Sequence, residues 1–171
     1  MQNTEVVALG FRYPTPVAAA ELSRLIEADA SNDVKRHMRQ FVNEVGELSL
    51  GEWEELHTDT LDLDPKFVPY VGHVAWGENY RRGAFMADLV AAMAAADVDL
   101  MGELPDHIEP ILRYLAADDE PLADLVEVLP RVISEMNSVL KTAAPDNPYC
   151  HLLAATLACA GNRPVTIGGR R

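Results

Sequence analysis

Apolar residues recur at intervals of three and four positions along most of the chain, from Val17 to Leu157. This spacing places them on one face of an α-helix. A clear example is the run Val34, Met38, Phe41, Val42, Val45 and Leu48. The pattern predicts an all-α protein, a single-domain helical bundle of about eight or nine helices, over residues 1–161.

Capping residues predict where several of these helices begin. Thr15, followed by a proline, is expected to cap the first helix, and Asn79 is expected to cap a long one. Ser49 and Glu52 have the spacing of a capping box. Pro130 is expected to kink or restart the helix that contains it, because proline lacks the N–H that an interior turn requires.

Acidic residues outnumber basic ones by 27 to 14, which gives a net charge of −13. Such a surface repels phosphate, so nucleic acid and anionic membranes are not expected partners. Residues 52–64 contain six acidic residues and no Lys or Arg, and residues 97–127 contain ten, with Arg113 as the only basic residue. These runs indicate either solvated helix faces or a docking surface for a basic segment.

The chain has the sequence features of a cytoplasmic protein without stable membrane association. No apolar run approaches the ~20 residues that span a bilayer, and residues 1–10 lack the pattern of a secretory signal.

Cys150 and Cys159 lie about 13 Å apart on one predicted helix, too far for a disulfide, and are expected to be reduced core residues. Residues 162–171 are expected to form a flexible tail, in which Val165–Ile167 alone looks strand-like.

The sequence contains no complete set of residues for catalysis or metal binding. Glu54 and His57 have the Glu-x-x-His spacing of di-iron bundles, but no second copy exists. Glu103 and His107 are four positions apart, yet a third ligand such as His73 is unsupported by spacing. No nucleophile elbow or phosphate-binding loop is present. We therefore expect a binding protein and not an enzyme, with no metal and no cofactor.

Several ordered segments resemble motifs of the NarJ/TorD/DmsD family of redox-enzyme maturation chaperones, and most closely those of the NarJ branch. Residues 57–63 (HTDTLDL) resemble its Y-V-x-T-F-D-L element, with Leu61 in place of the usual aromatic. His73, Gly77-Glu78 and Arg81-Arg82-Gly83 resemble its H…G-D/E-x-x-R-R-G element. Residues 103–108 (ELPDHI) resemble its E-L-P-D-H/Y-L element. The pairs Tyr13-Pro14 and Pro148-Tyr149 also fall where the family places such pairs.

The resemblance implies an all-helical TorD/NarJ-like fold and a function in assembling a molybdenum enzyme. Family members bind the basic N-terminal segment, often a twin-arginine leader, of an apo catalytic subunit while the molybdenum cofactor is inserted. The implied partner is thus the catalytic subunit of a molybdopterin oxidoreductase, either a nitrate reductase of nitrate assimilation or a relative acting on another substrate. The chaperone itself is expected to be a monomer or a weak dimer. The alternatives are a small metal-binding helical enzyme and a generic helical adaptor.

The client-binding residues that the resemblance implies are Asp62, Tyr70, His73, Arg82, Glu103, Asp106 and His107. Asp106 is equally interpretable as an anion in the first turn of a helix. For Arg82 we favour a buried pair with a carboxylate, for which Asp62 is the candidate. Tyr70 and His73 also fit residues at the edge of the core.

Overall fold

The computed structural model describes residues 2–161, without the side chains of residues 2, 29 and 161. Within this range it contains nine α-helices, which confirms the all-α fold: α1 (Gln2–Gly10), α2 (Ala18–Asp29), α3 (Asn32–Gly46), α4 (Leu50–His57), α5 (Val71–Trp76), α6 (Tyr80–Ala95), α7 (Ile108–Ala117), α8 (Ala123–Ala143) and α9 (Tyr149–Gly161). A π-helical turn, Thr58–Asp62, continues α4. The predicted tail, with Val165–Ile167, lies outside the described residues.

Helix α9 lies at the centre of the bundle, where it packs against α1, α3 and α8. Its first residue, Tyr149, is fully buried, and its ring contacts that of Phe41 edge-on at 5.3 Å between centroids. Cys150 and Cys159 are buried thiols of this helix, as the sequence predicted. The ring of Tyr149 thus forms part of the packing between α3 and α9.

The predicted caps are partly confirmed. The Ser49–Glu52 capping box is present, and the side chain of Asn79 accepts a hydrogen bond from the backbone N–H of Arg81 at 2.8 Å. The prediction for Thr15 was wrong, because α2 begins only at Ala18. Pro130 lies inside α8, which continues through it instead of restarting.

Helix α1 has no counterpart among the predicted helices. It packs against α2, α7 and α9, and its adjacent residues Val6, Val7 and Ala8 are all buried. Because several sides of α1 are covered, its apolar residues do not show the spacing of a half-exposed helix. Gly10 permits the close packing on α9, since a Cβ at this position would lie 2.6 Å from Cδ1 of Leu152.

Across residues 2–161, no helix combines the length and the apolar character needed to cross a bilayer.

Candidate functional site

The π-helical turn at the end of α4 determines the position of Asp62. The N–H of Leu63 donates to the carbonyl of Thr58 at 2.9 Å, which is the i→i+5 bond of a π-helix. Within the turn Thr60 is buried, whereas the Asp62 side chain is 50% exposed. Its Oδ2 lies 4.0 Å from Nε2 of the buried His57. The turn therefore presents a carboxylate at the surface directly above a buried imidazole.

Two extended segments, before α5 and before α7, pair across a short antiparallel bridge. The bridge joins Tyr70 to His107, and the N–H of Val71 donates to the carbonyl of Asp106 at 2.7 Å. The rings of Tyr70 and His107 meet edge-on with their centroids 5.4 Å apart. Residues from two segments that are distant in sequence are thereby held side by side.

Asp106 forms a buried ion pair with Arg82 beneath this bridge. The Nε of Arg82 donates to Oδ2 of Asp106 at 2.9 Å, and Nη2 lies 3.4 Å from Oδ1. The hydrogen bond with Asp106 raises the pKa of the Arg82 guanidinium. The prediction of a buried partner for Arg82 is therefore confirmed, but the partner is Asp106 and not Asp62.

The position of Asp106 excludes both roles that the sequence suggested for it. Helix α7 begins at Ile108, so Asp106 precedes the helix and is not in its first turn. Its side chain is 0% exposed, so it is closed to a peptide that binds at the surface. Asp106 and Arg82 form a structural framework and not a set of contact residues.

His107 caps α7 and is also buried. Its Nδ1 accepts a hydrogen bond from the backbone N–H of Glu109 at 3.3 Å. Burial lowers the pKa of His107, although the nearby carboxylates of Glu103, Glu109 and Asp62 act in the opposite direction. The lowered pKa favours the neutral imidazole, whose Nδ1 lone pair accepts the capping hydrogen bond from Glu109.

Three of the predicted residues remain accessible around one aromatic ring. Asp62 and Glu103 are exposed and Tyr70 is partly exposed. Burial raises the pKa of Tyr70, and the negative charge of Glu103 raises it further, as do those of Asp106 and Asp62. Leu104, 45% exposed, follows Glu103 in the same loop. We call Asp62, Tyr70, Glu103 and Leu104 the Tyr70 surface.

His73 lies at the edge of this region in a small ion-pair cluster. Its Nδ1 lies 2.8 Å from Oε1 of Glu78, and the same oxygen accepts a hydrogen bond from Nη1 of Arg82 at 2.9 Å. Glu78 was not among the predicted site residues, although its i, i+4 spacing to Arg82 was visible in the sequence. His73 and Glu78 thus extend the framework of Arg82 outward to solvent.

Gly72 is a second residue of this framework that sequence reasoning missed. A Cβ at this position would lie 2.8 Å from Oδ2 of Asp106 and 3.2 Å from Cγ of Arg82. The backbone of α5 therefore approaches the ion pair too closely for any side chain.

In the part of the chain that the structure describes, no three His, Cys, Asp or Glu side chains lie together as a metal site would require. His57 of the Glu54-x-x-His57 pair instead has its Nδ1 2.8 Å from the hydroxyl of Tyr149.

No protein-family model matches the chain, and no curated protein matches it either.

Proposed function

We propose that this protein is a cytoplasmic assembly chaperone for a molybdenum oxidoreductase, and that it is not an enzyme. It binds the basic N-terminal segment of the apo catalytic subunit during insertion of the molybdenum cofactor. The client is a nitrate reductase or a related molybdopterin enzyme. The sequence resemblance and one structural observation support this function.

That observation is the meeting of the three resembling segments in space. Residues 73–83 supply Arg82 and residues 103–108 supply Asp106 and His107, which the ion pair and the bridge hold together. Residues 57–63 supply Asp62, whose negative charge acts to raise the pKa of both Tyr70 and His107. Segments that only pack a core have no need to converge on one face with exposed carboxylates. Their convergence around Tyr70 supports a common binding role.

The Tyr70 surface offers suitable contacts for a basic peptide. Asp62 and Glu103 are carboxylates that can accept charge-assisted hydrogen bonds from arginine, and the ring of Tyr70 can stack with a guanidinium. Leu104 supplies exposed apolar area for a neighbouring apolar residue of the peptide. The ion pair below, between Arg82 and Asp106, fixes the two backbone segments that carry these groups.

Deletion of the gene in its host tests the proposal. We expect molybdopterin oxidoreductase purified from the deletion strain to lack molybdenum, and the wild-type gene to restore it. A gene encoding the double variant Asp62→Asn with Glu103→Gln should restore much less of the molybdenum content. The matched control, Glu127→Gln, removes an exposed carboxylate of α8 and should restore fully. Full molybdenum content in every such enzyme of the deletion strain would exclude the proposed function.

A further inference from the structure

A polar cleft lies between α3, α9 and the turn that joins α8 to α9. Its volume is about 370 Å³, at the lower end of the range of about 300–1,000 Å³ that is usual for small-molecule sites. Helix α3 lines one wall with His37, Gln40 and Glu44, which stand at i, i+3 and i+7 on one face of the helix. The last turn of α8 adds Lys141, and the turn after it adds Asp146. We call this site the His37 cleft.

Asn147 anchors the turn that carries Asp146. Its Nδ2 donates a hydrogen bond to Oγ1 of Thr60 at 2.9 Å, and its Oδ1 accepts one from the backbone N–H of Tyr149 at 2.9 Å. The backbone N–H of Asn147 also donates to the carbonyl of Ala144 at 3.1 Å. These bonds tie the turn to the π-helical turn after α4 and to the start of α9. The cleft is therefore held in shape by the protein's own contacts.

Four polar groups of the cleft are left without a partner. Nδ1 of His37 is buried and has no hydrogen-bond partner among the residues that the structure describes. The side chains of Gln40, Lys141 and Asp146 form no hydrogen bond or ion pair with any described residue. Lys141 and Asp146 thus line one cleft with opposite charges and do not pair with each other. A buried polar atom without a partner is uncommon, and a bound molecule is one way to satisfy it.

The His37 end of the cleft is cationic. Burial lowers the pKa of His37, and the neighbouring Arg36, His151 and Lys141 lower it further, whereas Asp33 acts in the opposite direction. Asp33 already pairs with Arg36 at 3.6 Å. A carboxylate of a ligand at this end would pair with Lys141 and accept a hydrogen bond from Nδ1 of His37.

The Cys150 end of the cleft is anionic. Burial raises the pKa of the Cys150 thiol, and the carboxylates of Glu44 and Asp146 raise it further, against the effect of Lys141. The carboxylate of Glu44 is already engaged, because its Oε1 lies 3.1 Å from Nε2 of His151. Asp146 is therefore the carboxylate that remains for an ammonium group.

A molecule that carries both charges satisfies the two ends at once. A simple anion would be repelled by Asp146, and a simple amine would be repelled by Lys141. We propose that the His37 cleft binds a small zwitterion of the amino-acid class, with its carboxylate on Lys141 and His37 and its ammonium group on Asp146. Pro145 and Ala154 line the same cleft and offer apolar area to a short side chain.

This site is separate from the proposed function. It uses none of the residues of the Tyr70 surface, and it does not require that the protein be a chaperone. Binding of amino acids and binding of client peptides are measured independently, so the failure of one leaves the other intact.

Differential scanning fluorimetry of the full chain with each proteinogenic L-amino acid in turn is the first measurement. An amino acid that binds the folded protein should raise its melting temperature, because binding favours the folded state. Calorimetry then gives the affinity of the strongest ligand and of two analogues, one without its carboxylate and one without its amino group. Each analogue should bind at least about fivefold more weakly, since it loses one charge pair and retains one repulsion.

Three variants locate the site. Lys141→Met and Asp146→Asn each remove an exposed charge and should weaken binding of the amino acid about two- to fivefold. Lys141→Met should not weaken binding of the amine analogue, and Asp146→Asn should not weaken binding of the acid analogue. His37→Phe should weaken binding of the amino acid about two- to tenfold, because a hydrogen bond is lost.

The matched control is Arg24→Met with Glu127→Gln. It removes one exposed cation of α2 and one exposed carboxylate of α8, and it should change the affinity for the amino acid less than about twofold.

Several outcomes would overturn the proposal. If no amino acid binds, the cleft is not a site of this class. If the acid analogue or the amine analogue binds as tightly as the amino acid, the cleft takes a simple anion or a simple cation and not a zwitterion. If Lys141→Met and Asp146→Asn both bind the amino acid like the wild type, the ligand lies elsewhere on the protein.

Discussion

The Nε of Arg82 donates a hydrogen bond of 2.9 Å to Oδ2 of Asp106, whose side chain is entirely buried. The two residues are 24 positions apart and belong to α6 and to the segment before α7. Their ion pair therefore ties together the elements that carry the Tyr70 surface. A buried carboxylate without its cation is costly, so we expect this pair to stabilise the arrangement of the two elements.

Replacing Arg82 with Met should strongly destabilise the protein. The change leaves the Asp106 carboxylate buried without a cation, which costs about 3–5 kcal/mol. Urea denaturation followed by circular dichroism measures the free energy of unfolding. The matched control is Arg131→Met, which removes an exposed pair with Glu135 and should cost at most about 1 kcal/mol. Equal losses of unfolding free energy in the two variants would show that the buried pair stabilises the protein no more than the exposed pair does.

Replacing Gly72 with Ala should also destabilise the protein. The new Cβ would lie 2.8 Å from Oδ2 of Asp106, and overpacking of this kind costs about 1–3 kcal/mol. Gly83 provides the control, because it lies in α6 with no atom within 4 Å of a Cβ. Gly83→Ala should be neutral or stabilising by up to about 1 kcal/mol, since alanine favours the helix. If the Gly72→Ala protein is as stable as the wild type, the carboxylate of Asp106 must shift to accommodate the new Cβ without a cost in free energy.

The fold was readable from the sequence wherever the signal is local. The Ser49–Glu52 capping box and the Asn79 cap each depend on residues two or three positions apart, and both were predicted. Helix α1 was not predicted, because its burial on several sides removes the periodicity that marks a half-exposed helix. The π-helical turn was also missed, since nothing in residues 58–62 distinguishes it from a simple helix end.

The site was only partly readable, because its pairing depends on packing between distant segments. The sequence indicated that Arg82 has a buried partner but could not choose among the acidic residues. Asp62 and Asp106 lie at similar distances from Arg82 along the sequence, and Asp106 becomes the partner because the bridge between Tyr70 and His107 holds its segment beside Arg82. Gly72 gave no signal at all, since the close approach that requires it exists only in the folded chain.

His107 should make the stability of the protein depend on pH. Its pKa is lowered in the fold by burial, so between that value and the usual value of about 6.5 the unfolded chain binds more protons. The contribution of His107 to stability is therefore complete above about pH 6.5 and is lost as the pH falls through the lowered pKa. His107→Asn should retain the cap, because asparagine is a good N-cap residue, and should remove this part of the dependence.

Thermal denaturation of both proteins between pH 7.5 and pH 5.5, about one unit on either side of the usual histidine pKa, measures the effect. The wild type should lose more stability than His107→Asn over this range. Part of the pH dependence of stability should be common to both proteins, because burial also lowers the pKa of His57. Parallel curves would contradict the assignment of His107 as a buried neutral cap.

Calorimetry with N-terminal peptides of the catalytic subunits of molybdopterin oxidoreductases from the same genome measures the proposed binding directly. We expect at least one peptide to bind, more weakly at high salt. Asp62 and Glu103 are exposed, and an exposed charge pair is worth at most about 1 kcal/mol, or about fivefold in affinity. Asp62→Asn and Glu103→Gln should each weaken binding about two- to fivefold, and Glu127→Gln should not. No binding by any peptide, or equal binding by all variants, would contradict the chaperone function or its placement at the Tyr70 surface.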